Sequence, residues 1–251
     1  MGQVTHQTAN LLLASNPKNR TAALILAAGN SSRMGGETSK QFLALGGIPV
    51  LAHTLLAYQQ SPLITEIIIA AREKDVDTVV ALCEDYHITK LTAVVIGGKN
   101  RQESALRAFS VIGPDIRYVA IADGARCLIT PTEIEMVCGA AYRKKAASAG
   151  IRMTGTVKRV SRGGAILETL DRETLWEAQT PQVFHIGLYA AAQSRAASDG
   201  FVGTDDNELI EHLGYRVQMV ECRKENMKVT TPEDLRIAGA ILAARHRNEK
   251  A

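Results

Sequence analysis

The sequence is poor in aromatic residues and carries almost no net charge. Its 251 residues include four Phe, six Tyr and one Trp, or 4%, and surfaces that stack single-stranded nucleic acid usually need more. The 29 Lys and Arg residues exceed the 26 Asp and Glu residues by three, so bulk charge gives no reason to expect a nucleic-acid partner. No segment approaches the roughly 20 apolar residues that cross a bilayer. We therefore expect neither nucleic acid nor a membrane as a partner.

Cysteine is also scarce and unpatterned. The spacings of Cys83, Cys127, Cys138 and Cys222 match neither a zinc site nor a redox pair. We expect reduced thiols in a cytoplasmic protein. Residues 1–20 show neither a helical nor a strand period, and their run of three leucines is too short for the core of a signal peptide. We interpret residues 1–20 as a disordered extension or a tag.

From residue 21 onward, apolar runs typical of buried strands alternate with stretches typical of helices. Strands are predicted at 22–26, 66–71, 92–96 and 118–122, and helices at 49–58, 75–86, 101–112 and 131–145. Later come helices near 186–197, 205–213 and 232–245 and a strand at 216–221. This order predicts an α/β protein of three layers with a mostly parallel sheet, in a single domain over residues 21–251.

The alternation stops between about residues 151 and 175. This segment mixes Thr, Val and Gly around Gly163-Gly164, a pair that suits a hairpin turn. We predict a β-arm here that projects from the sheet.

Candidate site residues follow the strands, because ligands of open α/β sheets bind at the carboxyl ends of the strands. The loop after the first strand begins Ala27-Ala28-Gly29 and carries Arg33 and Lys40. Small residues let backbone N–H groups approach a phosphate, and the two cations suit its oxygens. Taken alone, this loop fits a phosphate site and a merely tight turn equally well. The Walker A and dinucleotide-binding patterns are both absent.

Other strand ends add cations and carboxylates but no general base. Polar groups occur at 97–101, with Ser104 one turn further on, at 123–126, at 204–206 and at 226–228, and none of the six histidines lies in these loops. The G-x-S-x-G pattern of a hydrolase is absent too. A phosphate monoester is largely dianionic near pH 7, so it can attack the α-phosphorus of a nucleoside triphosphate without a base. Preorganised cations and Mg²⁺ then reduce the repulsion between the anions. Nucleotidyl transfer to a phosphorylated small molecule follows as a hypothesis.

A set of short motifs in register over about residues 22–240 makes this hypothesis more specific. They include Ala27-Ala28-Gly29-x-x-x-Arg33-Met34 with Lys40-Gln41-Phe42, Gly97-Gly98-x-x-Arg101-x-x-Ser104, Asp123-Gly124-Ala125-Arg126, Leu170-Asp171-Arg172, Gln179-Thr180-Pro181-Gln182 and Asn226-Met227-Lys228-Val229-Thr230. Together they resemble the motifs of the 2-C-methyl-D-erythritol 4-phosphate cytidylyltransferase family. The resemblance implies a Rossmann-like nucleotidyltransferase fold. It also implies transfer of CMP from CTP to 2-C-methyl-D-erythritol 4-phosphate, with release of pyrophosphate, in the non-mevalonate route to isoprenoid precursors.

The resemblance also assigns roles to residues. It implies that Arg33 and Lys40 are catalytic and stabilise the charge that grows on the triphosphate. It implies that the nucleotide is bound by Ala27, Ala28, Gly29, Gly98, Lys99, Ser104 and Asp123. Asp123 is also a possible ligand of Mg²⁺ or another divalent cation, which the CTP phosphates would mostly hold. Substrate positioning is implied for Arg126, Thr156, Arg172 and Lys228. The family forms homodimers through the arm, so Thr156 and Arg172 would complete the partner subunit's site.

The sequence departs from the family's pattern at three positions, which leaves alternatives open. Cys127 replaces a common Pro, Arg152 replaces a Pro of the arm, and Gly155 replaces an Asp of the arm. We expect Cys127 to pack quietly in the protein. The two changes in the arm concern the acceptor more than the nucleotide. One alternative is a cytidylyltransferase that acts on ribitol 5-phosphate or a related polyol phosphate, and another is a non-catalytic nucleotide sensor on the same fold.

Overall fold

The computed structural model describes residue 13, residues 16–29 and residues 39–249. Its strands are β1 (Thr21–Leu26), β2 (Ala44–Leu45), β3 (Ile48–Pro49), β4 (Ile64–Ala71), β5 (Leu91–Ile96), β6 (Tyr118–Asp123), β7 (Ala146–Arg152), β8 (Lys158–Val160), β9 (Ile166–Thr169), β10 (Trp176–His185) and β11 (Gln218–Glu221). Its α-helices are α1 (Val50–Gln60), α2 (Val76–Asp85), α3 (Arg101–Phe109), α4 (Pro131–Lys144), α5 (Ile186–Asp199), α6 (Asp206–His212) and α7 (Pro232–Glu249).

Seven of these strands form the central sheet, in the order β11-β7-β10-β6-β1-β4-β5. Neighbouring strands run parallel except at β10, which is antiparallel to both β6 and β7. Helices α1, α2 and α4 pack on one face of the sheet, and α3, α5 and α6 pack on the other. The predicted three-layer α/β fold with a mostly parallel sheet is therefore confirmed.

The central strands β1 and β6 place the site. Residues 22–25 of β1 are wholly buried, and every residue of β6 is buried, because both faces of each strand are covered by helices. Continuous apolar runs are the usual sequence of such strands. The parallel register pairs Leu26 with Asp123. The loops that follow the two strands therefore begin side by side at one edge of the sheet.

Strands β7 and β10 do not have the composition that predicts a strand, and sequence analysis missed both. Strand β7 reads Ala-Ala-Ser-Ala-Gly-Ile-Arg, although its first five residues are buried. Alanine and glycine have low intrinsic preference for strands. Strand β10 contains Pro181, although proline is usually confined to edge strands, strand starts and bulges. The pairing of β10 with β7 shifts in register between Ala178 and Gln182. Burial between neighbouring strands overrides local preference in both segments.

The arm consists of β8 and β9, which form an antiparallel two-stranded sheet of their own. Gly164 adopts a φ of +84° between them, a conformation that favours glycine, so the hairpin turn lies where the Gly-Gly pair predicts it. All seven residues of the two strands are exposed, and Ile166 and Leu167 are 65% and 62% exposed.

The stretch interpreted as an extension or a tag is described only in part. Leu13 packs against the main core cluster, and residues Pro17–Asn19 form one turn of 3₁₀ helix. The other members of residues 1–15 lie outside the described residues. In the part of the chain that the structure describes, no helix has the length and apolar character needed to cross a membrane.

Candidate active site

A cavity of about 260 Å³ opens at the edge of the sheet where β1, β5 and β6 end. Eight residues to which the resemblance assigns a role line it: Ala28, Gly29, Lys40, Gly98, Lys99, Ser104, Asp123 and Lys228. Residues Leu26, Gln41, Asn100, Arg101 and Ala125 complete the described lining. Parallel strands bring their carboxyl ends to one edge, and for this reason loops that are distant in sequence meet here.

The loop after β1 is described only at its two ends. Ala27 is fully buried, and its N–H donates to the carbonyl oxygen of Ala70 in β4 at 2.7 Å. Ala27 therefore supports the loop rather than lining the cavity, whereas Ala28 and Gly29 line it. Arg33, predicted to be catalytic, lies outside the described residues.

Lys40 is a buried lysine on the cavity wall. It begins a short 3₁₀ helix at Lys40–Phe42 and is only 9% exposed. Its Nζ donates to the carbonyl oxygen of Val229 at 2.9 Å, which ties the first loop to the segment that carries Lys228. A buried ammonium group keeps much of its electrostatic effect, because little water screens it. The position suits stabilisation of an anionic ligand.

The loop between β5 and α3 is held by side chains from the first turn of α3. The N–H of Gly98 donates to Ser104 Oγ at 2.9 Å, and the N–H of Lys99 donates to Glu103 Oε2 at 2.8 Å. Asn100 caps α3 by accepting from the N–H of Glu103 at 2.8 Å. A Cβ atom at Gly98 would lie 2.3 Å from the Glu103 side chain, so only glycine fits. The loop thus presents backbone at the cavity wall.

Asp123, the last residue of β6, is surrounded by three cations. Its Oδ2 lies 3.0 Å from Lys228 Nζ and 3.7 Å from Arg126 Nε, and its Oδ1 lies 3.5 Å from Arg101 Nε. Its N–H donates to Thr180 Oγ1 at 3.1 Å. Burial alone would raise the pKa of Asp123, but the three cations, Arg101 foremost, hold it at about 2. Asp123 is therefore ionised at neutral pH, and the group as a whole is cationic.

Arg126, which the resemblance makes a substrate-positioning residue, lies behind the cavity instead of on its described wall. It is buried, and its Nη1 donates to the carbonyl oxygen of Asn226 at 2.6 Å. Asn226 in turn donates through Nδ2 to Gln179 Oε1 and to the carbonyl oxygen of Thr180, both at 3.0 Å. These bonds hold the segment that carries Lys228 against β10.

Thr156 and Arg172 lie at the arm and do not line the cavity of their own chain. Both are exposed. Arg172 Nη1 donates to the carbonyl oxygen of Thr154 at 3.1 Å. Lys224 Nζ donates to Thr154 Oγ1 at 3.0 Å, so two cations meet at the root of the arm.

The sequence predicts Arg101 as one of several strand-end cations that converge on the substrate phosphates, without an individual role. The structure makes it a central one, since Arg101 contacts both Asp123 and the buried Asp206. The signal in the sequence was Asn100 followed by Glu103, a spacing typical of a helix start. Arg101 is thereby the first residue of a helix that points at the site.

Cys127 is buried in a small apolar cluster, in agreement with its expected packing role, and burial raises the pKa of its thiol to about 11.

A divalent cation is compatible with this donor set. The described residues contain no group of three or more His, Cys, Asp and Glu side chains that could hold a metal ion alone. Mg²⁺, however, usually takes one or two protein carboxylates together with substrate phosphates and water. Asp123 supplies one such carboxylate at the cavity wall.

Known proteins are similar to this chain over most of its length. The family model IspD, 2-C-methyl-D-erythritol 4-phosphate cytidylyltransferase, matches residues 21–244. A 2-C-methyl-D-erythritol 4-phosphate cytidylyltransferase of Halalkalibacterium halodurans is 41% identical over 226 residues, which cover 90% of this chain and 98% of that protein. One from Pelotomaculum thermopropionicum is 39% identical over 227 residues, covering 90% and 95%.

Solved structures give the same result. The crystal structure of 4-diphosphocytidyl-2C-methyl-D-erythritolsynthase from Anaerococcus prevotii superposes with a TM-score of 0.80 at 27% identity. The match covers 90% of this chain and 99% of that one. The chain belongs to the 2-C-methyl-D-erythritol 4-phosphate cytidylyltransferase family.

Proposed function

We propose that this protein transfers CMP from CTP to 2-C-methyl-D-erythritol 4-phosphate and releases pyrophosphate, in the synthesis of isoprenoid precursors. The observation that carries the proposal is the cationic group around one carboxylate. Arg101, Arg126 and Lys228 surround Asp123, and Lys40 lies on the same cavity wall. Such a site attracts two anionic substrates and needs no general base.

The chemistry requires electrostatic help more than proton transfer. An oxygen atom of the acceptor's phosphate forms a bond to the α-phosphorus of CTP. The bond from that phosphorus to the oxygen bridging to the β-phosphate breaks, and its electron pair leaves with pyrophosphate. The attacking oxygen is already ionised near pH 7. Preorganised cations that meet the developing charge commonly supply the largest share of such catalysis.

Each wall of the cavity fits one part of this reaction. The backbone of Ala28, Gly29 and Gly98, with Lys99 and Ser104, would hold the nucleotide. Lys40, together with Arg33, would stabilise the triphosphate. Lys228, whose Nζ lies 3.0 Å from Asp123 Oδ2, would receive the acceptor's phosphate. Mg²⁺, held by Asp123 and the CTP phosphates, would neutralise further charge on the leaving group.

The active form in this proposal is a homodimer joined through the arm. Strands β8 and β9 expose the apolar side chains of Val160, Ile166 and Leu167, which an isolated subunit leaves in water. Thr156 and Arg172 lie at the same arm and away from the cavity of their own chain. A second copy of the chain would cover the apolar side chains and receive Arg172 and Thr156 at its own site.

A pyrophosphate-release assay tests the activity and its acceptor together. It combines CTP, ATP, GTP and UTP in turn with 2-C-methyl-D-erythritol 4-phosphate, ribitol 5-phosphate and other polyol phosphates, in the presence of Mg²⁺. We expect release only with CTP and the methylerythritol phosphate. Pyrophosphate release only with ribitol 5-phosphate would show that ribitol 5-phosphate is the acceptor. Binding of CTP without release of pyrophosphate would indicate a nucleotide sensor.

A further inference from the structure

A buried carboxylate outside the cavity is connected to it by a single arginine. Asp206, the first residue of α6, is 0% exposed. Its Oδ2 accepts a hydrogen bond from Arg101 Nη1, and its Oδ1 accepts one from the Tyr189 hydroxyl at 2.7 Å. Its N–H donates to Gln182 Oε1 at 3.0 Å. A carboxylate this deeply buried is costly unless it is paired, and Arg101 is its cationic partner.

Arg101 connects this carboxylate to the site. Its Nη1 meets Asp206 and its Nε lies 3.5 Å from Asp123 Oδ1. Because a guanidinium group is planar and rigid, two acidic partners on different atoms fix both its place and its plane. Arg101 also begins α3, directly after the loop whose residues Gly98 and Lys99 line the cavity. Holding Arg101 therefore holds the start of that helix and the end of that loop.

The other side of Asp206 is anchored just as firmly. Gln193 Nε2 donates to the Tyr189 hydroxyl at 2.6 Å, so that hydroxyl is left to donate its own proton to Asp206. The Tyr189 ring stacks on Phe184, with centroids 5.7 Å apart and planes 3° apart. It also packs against Phe109 in an edge-to-face arrangement, with ring centroids 5.1 Å apart. These contacts fix the Tyr189 ring and the direction of its hydroxyl group. The hydrogen bond from that hydroxyl then orients the carboxylate of Asp206.

We propose that Asp206 is a positioning residue for the nucleotide half of the site. Its carboxylate, oriented by Tyr189, holds Arg101 against Asp123 and thereby sets the geometry that CTP meets. The inference rests on the proposed function, because it assumes that CTP occupies this cavity. It goes further in assigning a role to a side chain that does not touch the cavity.

Direct binding of CTP with Mg²⁺ tests this, measured by titration calorimetry without any acceptor. We expect the Kd for CTP to rise about tenfold in Asp206→Asn, which keeps the shape but removes the charge, since bonds to charged groups are the stronger ones. In Tyr189→Phe we expect a smaller rise, of about threefold, because this variant loosens the orientation of Asp206 but keeps its charge. In turnover assays, the KM for CTP should rise in proportion, while the KM for the acceptor stays within about twofold.

Two matched variants separate positioning from general destabilisation. Asp75→Asn breaks a comparable pair, since Asp75 Oδ2 lies 2.5 Å from Arg72 Nε, at the start of α2. Tyr142→Phe removes a tyrosine hydroxyl that lies 2.8 Å from Thr21 Oγ1. Neither residue lines the described cavity. Both variants should therefore bind CTP with the Kd of the unmodified protein, even if their thermal unfolding midpoint is lower.

The outcomes are distinct. An unchanged Kd in Tyr189→Phe, or a change equal to that in Tyr142→Phe, would overturn the positioning role. This holds even if Asp206→Asn does not fold. Failure of the unmodified protein to bind CTP would instead overturn the proposed function.

Discussion

Lys228 Nζ lies 3.0 Å from Asp123 Oδ2, and this ion pair joins two segments that are about a hundred residues apart in sequence. Asp123 ends a buried strand, and Lys228 belongs to the segment before α7. The pair neutralises a buried carboxylate and at the same time keeps a lysine at the cavity wall. One contact therefore serves both the stability of the fold and the charge of the site.

The first prediction concerns stability at acid pH. The pKa of Asp123 is held at about 2, below the value near 4 of an unfolded chain. Its contribution to stability is therefore complete above about pH 5 and is lost as the pH falls from about 4 to about 2. Its full size is roughly 2.5 kcal/mol, since each pKa unit corresponds to about 1.4 kcal/mol.

Urea unfolding of the unmodified protein and of Asp123→Asn, between pH 2 and pH 7, measures this contribution. The difference in the free energy of unfolding should be constant above pH 5 and should shrink by roughly 2 kcal/mol near pH 2. An equal difference at both ends of the range would show that the pKa of Asp123 is not lowered.

The second prediction concerns Lys40. Lys40→Ala should lower kcat by about 10²–10³, because it removes a preorganised donor to the triphosphate. Lys90→Ala is the matched control, since Lys90 Nζ also donates to a backbone carbonyl, that of Ser61, at 2.7 Å. Lys90 lies away from the described cavity, so this variant should keep full turnover. Circular dichroism checks that both variants fold, and normal turnover in a folded Lys40→Ala would remove Lys40 from the catalytic group.

The sequence predicted the fold wherever a strand is made of branched apolar residues. The runs at β1, β4 and β6 are buried on both faces, and their composition shows it. Strand β7 is also flanked by a strand on each side, but alanine and glycine occupy its buried positions. At Gly150 a Cβ atom would lie 3.0 Å from the backbone oxygen of Glu177 in β10. This constraint comes from a neighbouring strand, and no local pattern encodes it.

The site was predictable as a set of loops but not as a set of contacts. Topology alone brings the ends of β1, β5 and β6 together, so most of the residues that line the cavity could be named in advance. The groups that each arginine side chain contacts could not be predicted from the sequence. Arg126 turns back to the carbonyl oxygen of Asn226, whereas Arg101 reaches two acids. Asp206 resembles an ordinary charged residue at a helix start, and only the packing of α5 against α6 shows that it is buried.

The third prediction concerns the surface of the arm. Leu167→Asp should raise the dissociation constant of the proposed dimer at least about tenfold, because it puts a charge into an apolar interface. Val202→Asp is the matched control, since Val202 is 63% exposed, much like Leu167 at 62%, but lies between α5 and α6. Sedimentation equilibrium should show dissociation only for the arm variant. Equal molar masses for the two variants would argue against an interface at Leu167.

The last prediction concerns the sharing of sites between subunits. If Arg172 acts in the partner's site, a mixed dimer of Lys40→Ala and Arg172→Ala subunits contains one intact site, made of Lys40 from one subunit and Arg172 from the other. Random exchange of equimolar variants should then restore about a quarter of the activity of the unmodified protein, because half of the dimers are mixed and each has one working site.

The reverse mixture gives an independent measurement. A double variant, Lys40→Ala with Arg172→Ala, leaves no intact site in a dimer with an unmodified subunit when sites are shared. Equimolar exchange should therefore retain about a quarter of the activity, against about a half if each subunit keeps its own site. No recovery in the first mixture and one half retained in the second would place Arg172 in the site of its own chain. The arm would then have to fold back toward the cavity, since Arg172 does not line it in the structure described here.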